Sequence, residues 1–538
     1  MNGTSLDKNG VALIAEPTAS DVSGEETPEN TLLGKEKELF VADRLDGIFA
    51  LAAFVLGFLF ARWVLFSWQG WGVTLFTFAY CGAVALYLLK KGIHISWVGW
   101  FWLAIVILTG ISFCLWNNNG LAAWRALLLF GSAVYWIICA TGVQILGKTS
   151  NLALLDGFNA LLLIPFNNIN SQYRSLALLG RNKRTEGRQI LSIALGLFLA
   201  LVVAVMVIPL LMKADSGGFA KIISEILGVF SGISQELGML FWHGLLAIPI
   251  AAYLFGLVAG SVHKKGTDLF QKDRTFSAIT ALRVLPLTTV YILLGLLCLL
   301  YVVFIGSQLP YFFAAFTGER PEGWQVYSEY ARSGFFELCR IAAINLIVLT
   351  VANIFSSKPY RDHLPMKVLN ALLAILTLVL ISTAFSKMAM YIGAYGLSMR
   401  RMLPCIFMIF MAVICGGVIA LQKWSFSIMR MSVVVGVIML CLLCMFDLDS
   451  FVTRYNAERY LAGTLESFDV DILNRAGPAG VDSALMVYKQ SDDPVLQEQL
   501  KKYLLAQQHQ AEDCKGTTGD NLQLAHIRQQ IAQLLSSP

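Results

Sequence analysis

The pattern of apolar and polar positions predicts a bundle of membrane-spanning helices. A helix needs about 20 mostly apolar residues to cross a bilayer, and the chain contains eleven such runs. They cover residues 48–66, 71–89, 97–116, 122–143, 190–212, 240–262, 284–306, 334–356, 367–386, 402–421 and 427–446. The runs do not alternate between apolar and polar residues, which argues against membrane strands. We therefore predict an all-α polytopic membrane protein with about eleven spans, or between about ten and twelve.

Two further apolar segments are too short or too interrupted to span a bilayer. Residues 152–166 contain Asp156 and Asn159, and residues 219–234 contain two charged side chains. Such segments form helices at the membrane surface or re-entrant loops. We favour the surface position for both.

The two ends of the chain are polar and divide it into three predicted parts. Residues 1–45 carry nine acidic and four basic residues and few aromatic ones, which predicts a disordered segment. They do not resemble a cleavable signal peptide, so the first span would act as an uncleaved signal. Residues 46–446 form the transmembrane domain. Residues 447–538 predict a small helical tail, with one helix beginning at Pro494 and another over 521–535, suited to recruiting a protein partner.

Composition excludes several classes of protein. The chain is 57% hydrophobic and 14% charged, with a mean hydropathy of +0.66, whereas soluble domains carry about 25% charged residues. A soluble enzyme or a wholly disordered chain is therefore excluded, and the lipid bilayer is the expected surrounding. The net charge of +5 gives no indication of a nucleic-acid partner. Nine of the ten cysteines lie in apolar runs, and no motif predicts a metal site or a cofactor.

The loops between spans predict the orientation of the protein. Counted in alternate loops, Lys and Arg number about 20 on one side and about 7 on the other. The rich set includes the segment before the first span, with Lys35 and Arg44. Since basic loops stay in the cytoplasm, we predict a cytoplasmic N-terminus. With eleven spans, the C-terminal tail would lie outside.

Ionisable residues near the outer ends of the spans are the candidate ligand-binding residues, because charge is costly in lipid. Glu337 and Arg340 are three residues apart, so they share a helix face and are able to form a purely structural ion pair. Alternatively, Glu337 orients Arg340 or Arg332 towards a ligand. Other basic side chains are expected at the same depth, among them Arg125, His243 and Arg401. The full candidate set is Arg62, Arg332, Glu337, Arg340, Lys387, Tyr391, Arg400 and Arg454.

A basic, aromatic-rimmed pocket that opens outward would suit an anionic ligand such as a lipid phosphate. The chain shows no nucleophile or P-loop motif, and we predict no catalytic residues. Asp447 and Asp449 follow the last span. We interpret them as a solvated helix end, with cation binding as the alternative.

Three segments carry a resemblance to a known family. They are Tyr-Ala-Arg-Ser-Gly-Phe-Phe-Glu-Leu at 330–338, the run from Ser386 to Arg400 with its Tyr-Gly-Leu at 395–397, and 454–460 after the last span. The sequence resembles a family of uncharacterised bacterial multi-spanning membrane proteins, known only as domains of unknown function, over about 45–475. Lys387 stands where we would expect an Arg in that family. The resemblance implies a bacterial cytoplasmic membrane and no established activity.

Two main hypotheses of function remain open. The first is binding or transport of an anionic envelope lipid or metabolite through the outward basic pocket. The second is a non-catalytic scaffold or regulatory subunit that recruits partners through its tail. A membrane-embedded transferase that uses the glutamates of the 307–331 loop is a weaker third option. The sequence thus favours a protein that is not an enzyme.

Overall fold

The architecture was obtained as a computed structural model. It describes residues 42–117, 119–178, 235–265, 272–317, 334–358 and 363–536, together with a few isolated positions between 196 and 225. Apart from those isolated positions, the predicted span 190–212 and the predicted surface segment 219–234 lie outside the described residues, as do Arg332 and the glutamates of the 307–331 loop. So does all but the end of the predicted N-terminal segment.

The described residues contain ten helices that are long and apolar enough to cross a membrane. They are built from α1 (Arg44–Trp63), α2 (Gly70–Lys90), α3 (Trp97–Leu115), α4 (Ala122–Thr141), α8 (Gln235–Val262), α10 (Leu287–Thr317), α11 (Phe335–Phe355), α12 (Leu364–Tyr395), α13 (Met399–Leu421) and α14 (Ile428–Met445). Each coincides with one predicted span. The all-α polytopic fold is therefore confirmed.

The helices form two groups that α14 joins. In the first group α1 packs most extensively on α8, and α2, α3 and α4 pack in sequence beside them. In the second group α12 lies between α10, α11 and α13. The last span, α14, contacts α3 and α4 of the first group and α13 of the second.

The membrane helices have two ends that we name by their contents. At the Asp46 end, the start of α1 meets the end of α2 at Lys91 and the end of α8 at His263. At the opposite end, which we call the tail end, the first turn of α2 at Gly72 and the α3–α4 loop at Asn117 both contact the C-terminal tail.

The predicted surface segment 152–166 forms a broken helix that does not qualify as a span. It consists of α5 (Ala153–Phe158), a π-helical turn (Asn159–Leu163) and α6 (Ile164–Asn168), followed by α7 (Ser171–Ala177). The break packs tightly against α8, since a Cβ on Gly256 would lie 2.5 Å from the carbonyl oxygen of Pro165. A short helix, α9 (Lys272–Ala281), precedes α10.

The C-terminal tail is helical and has its own apolar core. Its helices are α15 (Leu448–Leu461), α16 (Val470–Ala476), α17 (Val481–Gln490), α18 (Pro494–Asp513) and α19 (Leu522–Ser536). The core includes Leu473, Leu500 and Ile527. As the sequence predicted, one helix begins at Pro494, where Asp493 Oδ1 accepts a hydrogen bond from Val495 N at 2.9 Å.

Candidate functional site

The predicted ligand-binding residues lie in both helix groups. Arg62 is in the last turn of α1, in the first group. Glu337 and Arg340 lie in the first turns of α11, and Lys387 and Tyr391 lie in the last third of α12. The described residues thus place Arg62 on a different group of helices from the other four.

Glu337 and Arg340 do not form the predicted ion pair. Both side chains are exposed on α11, and the ion pairs among the described residues do not include them. A spacing of three residues allows contact but does not require it, because two exposed side chains lose rotamer entropy on pairing. The role of Glu337 towards a ligand stays a prediction.

Arg401, rather than the predicted ligand-binding residue Arg400, packs on the ring of Tyr391. The guanidinium carbon of Arg401 lies 4.3 Å from the centre of the Tyr391 ring, and Tyr395 packs on the same ring at 5.3 Å. Arg400, the predicted residue, is exposed. Lys387 is half-buried, and a Cβ on Gly334 would lie 3.6 Å from its Nζ.

Two of the segments that carry the family resemblance meet in the structure. Asn456 on α15 binds the Tyr-Gly-Leu loop through both polar atoms of its side chain. Its Nδ2 donates to the carbonyl oxygen of Leu397, and its Oδ1 accepts from Leu397 N, both at 2.7 Å. Gly396 has φ +76°, and a Cβ there would lie 2.6 Å from Asn456 Oδ1. A larger residue would therefore disrupt this clamp.

Other basic residues near the loop have partners within the protein. Arg401 donates to the carbonyl oxygens of Tyr395 and Gly396, and Arg459 donates to the carbonyl oxygen of Ile392 at 3.2 Å. These contacts satisfy the last carbonyls of α12, where positive charge is favourable. Arg454, one of the predicted ligand-binding residues, pairs with Glu458 at 2.7 Å on the exposed face of α15.

The Asn456 clamp gives a first testable prediction. Asn456→Ala should lower the free energy of unfolding by about 2–4 kcal/mol, because it leaves two buried backbone groups of Leu397 without partners. The measurement is the unfolding midpoint of the purified protein in detergent. Arg454→Ala removes only an exposed side chain from the same helix and should leave the midpoint nearly unchanged. Equal midpoints for the two variants would contradict the clamp.

Arg125 is fully buried, so it cannot line an outward pocket as predicted. It donates to the carbonyl oxygens of Ser112 at 3.3 Å and Trp116 at 2.9 Å, and its guanidinium stacks on the ring of Phe113 at 4.1 Å. It therefore fastens the end of α3 to the beginning of α4.

Asp447 and Asp449 belong to the interface between the tail and the spans, which corrects the prediction of a solvated helix end. Asp449 Oδ2 accepts from Gly120 N at 2.9 Å, and Asp447 Oδ2 accepts from the side chain of Gln523 at 2.6 Å. Burial raises the pKa of Asp447 to about 6 and also raises the pKa of Asp449. Both carboxylates therefore accept hydrogen bonds from protein donors at this interface.

A buried ionic cluster at the Asp46 end was missed by the sequence analysis. Asp46 is 0% exposed and accepts from Tyr87 Oη at 2.6 Å and from Lys91 Nζ at 2.8 Å, and His263 Nε2 lies 3.1 Å away. Asp43 pairs with the same ammonium at 2.9 Å. The only indication in the sequence was that Asp46 lies directly before an apolar run. That position does not show whether the side chain is buried or exposed.

An apolar cavity of about 480 Å³ lies inside the first helix group. It is partly open and is lined by residues of α1–α4, α6, α8 and the segment 169–173. Its wall is mostly aliphatic and aromatic and includes Phe60, Phe76, Val106, Phe130, Phe166 and Leu257. Among the polar side chains of the wall, Thr77 Oγ1 donates to the carbonyl oxygen of Val73 at 2.8 Å and Tyr253 Oη donates to that of Leu161 at 3.0 Å. No pattern in the sequence indicates this cavity.

Two basic side chains, Arg62 and His243, lie at the tail-end level of the first helix group but do not line the cavity. Phe60 in α1 and Val64 just after it line the cavity, whereas Arg62, two residues from each, lies on the opposite face of the helix and is exposed. The ring of His243 on α8 contacts Phe58 and Phe66 with centroid distances of 6.4 and 6.5 Å. The first helix group therefore has an apolar cavity and, at its tail-end level, separate basic side chains, and an anionic amphiphile has one part that suits each of them.

Comparison with known proteins identifies a family and no activity. No curated protein and no solved structure matches the chain. Residues 103–486 match the family described as "Domain of unknown function (DUF4153)", which covers most of the helices described above. This chain therefore belongs to the DUF4153 family.

Proposed function

We propose that this protein binds an anionic lipid in the bilayer, with the hydrocarbon chain in the apolar cavity and the head group near Arg62. The observation that carries the proposal is the 480 Å³ cavity with its nearly continuous apolar wall. Cavities that hold small ligands measure about 300–1,000 Å³. Of the two ligand classes predicted from the sequence, an envelope lipid fits this wall better than a polar metabolite.

The energetic cost of an empty cavity supports an apolar occupant. The cavity is partly open, so without an occupant its apolar wall would remain in contact with water, and exposed apolar surface is unfavourable by about 25 cal/mol per Å². Water in such a cavity would find almost no polar partners. Hydrocarbon from the bilayer fills it without that cost.

The other predicted basic residues extend the proposal to the second helix group. Arg340 and Arg400 are exposed near the tail end of α11 and α13, and neither forms a hydrogen bond or ion pair within the described part of the chain. Together with Lys387 and Tyr391 they would contact anionic head groups at this level. Arg454 is the weakest of the candidates, because Glu458 already balances its charge.

The proposal includes an orientation and a location. From the loop charges, the Asp46 end would face the cytoplasm and the tail end would face outward, in a bacterial cytoplasmic membrane. The lipid would then be held with its head group towards the outer leaflet. Transport of the lipid between leaflets is the stronger form of this proposal, and recruitment of a partner by the tail is the alternative function.

Filling the cavity tests the proposed function. Ala133→Trp places an indole in the cavity wall and should remove most co-purified lipid, measured by native mass spectrometry of protein released from nanodiscs with mixed anionic and zwitterionic lipids. Ala123→Trp introduces the same side chain at an exposed position of α4 and should retain the lipid. Equal lipid retention by the two folded variants would overturn the proposal.

The preference for an anionic head group is a separate prediction. Arg62→Ala should leave the hydrocarbon chain bound and lower the ratio of anionic to zwitterionic lipid retained, by up to about fivefold, because an exposed ion pair contributes little free energy. The ratio is read from the same mass spectra. An unchanged ratio would remove Arg62 from the head-group site.

A further inference from the structure

The broken helix beside the cavity carries three buried side-chain oxygens without hydrogen-bond partners, on Asp156, Asn159 and Asn168, and the first two of these residues lie within one turn of each other. Asp156 Oδ1 accepts from Ile145 N at 2.8 Å, but Asp156 Oδ2 has no partner. Asn159 Oδ1 also has none. The two side chains are 2% and 4% exposed. Buried acceptors are expensive to leave unpaired, so two of them within one turn require an explanation.

No cation in the described structure compensates the Asp156 carboxylate. The titratable groups that interact with it are Tyr135 and Cys139 on α4, which are neutral at ordinary pH. Lys148 in the preceding loop and Arg430 at the start of α14 are exposed, and no ion pair joins either of them to Asp156 among the described residues. Burial raises the pKa of Asp156 from 3.8 to about 6, and the hydrogen bond from Ile145 opposes this only in part.

A single proton would satisfy the unpaired oxygens of both Asp156 and Asn159. Residues 156 and 159 are three apart along the helix, a spacing that allows their side chains to meet. A protonated Asp156 Oδ2 is a donor, and Asn159 Oδ1 is an acceptor that needs one. A sodium ion would need several more oxygen ligands than these two, so the number of unpaired atoms favours a proton.

We propose that Asp156 is a proton-binding site, that Asn159 accepts the hydrogen bond of the neutral carboxyl, and that the proton is coupled to occupancy of the apolar cavity. The site stands on its own geometry, whereas its coupling to the cavity rests on the proposed function. Binding is a simple association in which one proton adds to the Asp156 carboxylate without any redox step.

The physical link to the cavity is the π-helical turn Asn159–Leu163. Asn159 is its first residue, and the carbonyl oxygen of Leu161 accepts the hydrogen bond of Tyr253, which lines the cavity. Phe166, immediately after the turn, also lines the cavity. A π turn has weaker internal hydrogen bonding than an α-helix and often marks a functional position. Loss of the proton from Asp156 would therefore disturb the segment that closes one side of the cavity.

Infrared difference titration of the full chain in nanodiscs tests the proton site. Between pH 4.5 and 8, the wild type should show a buried-carboxyl component with a midpoint near 6, and Asp156→Asn should lack it. Asp447 also has a pKa raised to about 6, so Asp447→Asn is the necessary control and should leave the Asp156 component in place. If Asp156→Asn removes no component, the proton site is overturned.

Asn159→Ala tests the assigned acceptor without removing the acid. Loss of one hydrogen bond to the neutral carboxyl should lower the midpoint of the Asp156 component by roughly one pH unit. This variant also keeps the proposal testable if Asp156→Asn does not fold. An unchanged or higher midpoint would exclude Asn159 as the acceptor.

Replacing choline chloride with sodium chloride at constant ionic strength distinguishes a proton from a sodium ion as the ligand of Asp156. An unchanged midpoint supports a proton site. A midpoint that falls with sodium would overturn the proton as the sole ligand and assign these oxygens to a hard monovalent cation.

The coupling is measured separately as lipid retention. Retention should change at least threefold between pH 5 and pH 8 in the wild type and should be independent of pH in Asp156→Asn. A titrating Asp156 with pH-independent retention would overturn the coupling but leave the proton site. Loss of lipid in Ala133→Trp alone concerns the cavity, so failures of the two proposals are distinguishable.

Discussion

Asp46→Ala is expected to lower the free energy of unfolding by about 3–5 kcal/mol, because it leaves Lys91 without its buried partner. The same substitution removes the acceptor for Tyr87 Oη and the carboxylate beside His263. Three helices, α1, α2 and α8, meet at this one side chain. We therefore expect the whole first helix group to loosen rather than only the start of α1.

The measurement for Asp46→Ala is the unfolding midpoint in detergent. Asp43→Ala is the matched control, since Asp43 pairs with the same Lys91 but is far more exposed, and its loss should cost about 1 kcal/mol through the helix cap. The unfolding midpoint of Asp46→Asn should lie between those of Asp46→Ala and Asp43→Ala, because an amide oxygen still accepts a hydrogen bond from Tyr87. If Asp46→Ala were no more destabilising than Asp43→Ala, the cluster would not fasten the three helices.

Arg125→Met is the second variant with a large expected effect, of about 3–5 kcal/mol. The substitution leaves the carbonyl oxygens of Ser112 and Trp116 without this donor and removes the cation near Asp449. Asp449 accepts from Gly120 N in the interface between the tail and the spans. We therefore expect the tail to detach more readily as well as the α3–α4 connection to weaken.

The effect of Arg125→Met should depend on pH. Burial raises the pKa of Asp449, and Arg125 lowers it in part, so removing Arg125 raises the pKa further. A group whose folded pKa lies above its unfolded pKa stabilises the fold at low pH, and that stability declines as pH rises through the folded pKa. The loss of unfolding free energy caused by Arg125→Met should therefore be larger at pH 8 than at pH 5.

Unfolding midpoints and limited proteolysis of the tail at the two pH values measure this effect. Arg430→Met removes an exposed arginine from the start of α14 and is the control. A deficit that is equal at both pH values would show that Asp449 does not sense Arg125. Intact tails in the variant would show that Arg125 stabilises only the α3–α4 connection.

The candidate site was only partly accessible to sequence reasoning. The resemblance pointed to the Tyr-Gly-Leu loop, and the structure shows Asn456 bound to Leu397 in that loop. The two residues are 59 positions apart in the chain, and no local pattern indicates that a polar side chain will meet a distant backbone. Arg125 and Asp46 lie near span ends, where charged side chains usually reach the interface. In the structure, however, neighbouring helices bury both side chains.

The apolar cavity and the Asp156 site were beyond prediction for a related reason. The sequence placed Asp156 and Asn159 in a short apolar segment at the membrane surface. Their unpaired oxygens become visible only when α4 and the preceding loop cover them. The cavity is likewise the volume that several helices leave between them, and no single helix encodes it.

The sequence by itself determined the class of protein, the positions of the spans and the start of the helix at Pro494. These features follow from local properties, since transfer of about 20 apolar residues into lipid is favourable whatever the neighbours are, and Asp493 caps its own helix. Only the tertiary structure decided which face of each span turns inward. Lipid is as apolar as a helix interface, so hydrophobicity does not distinguish the two faces of a span. Close packing and buried polar contacts made that choice, and with it the cavity, the ionic clusters and the docked tail.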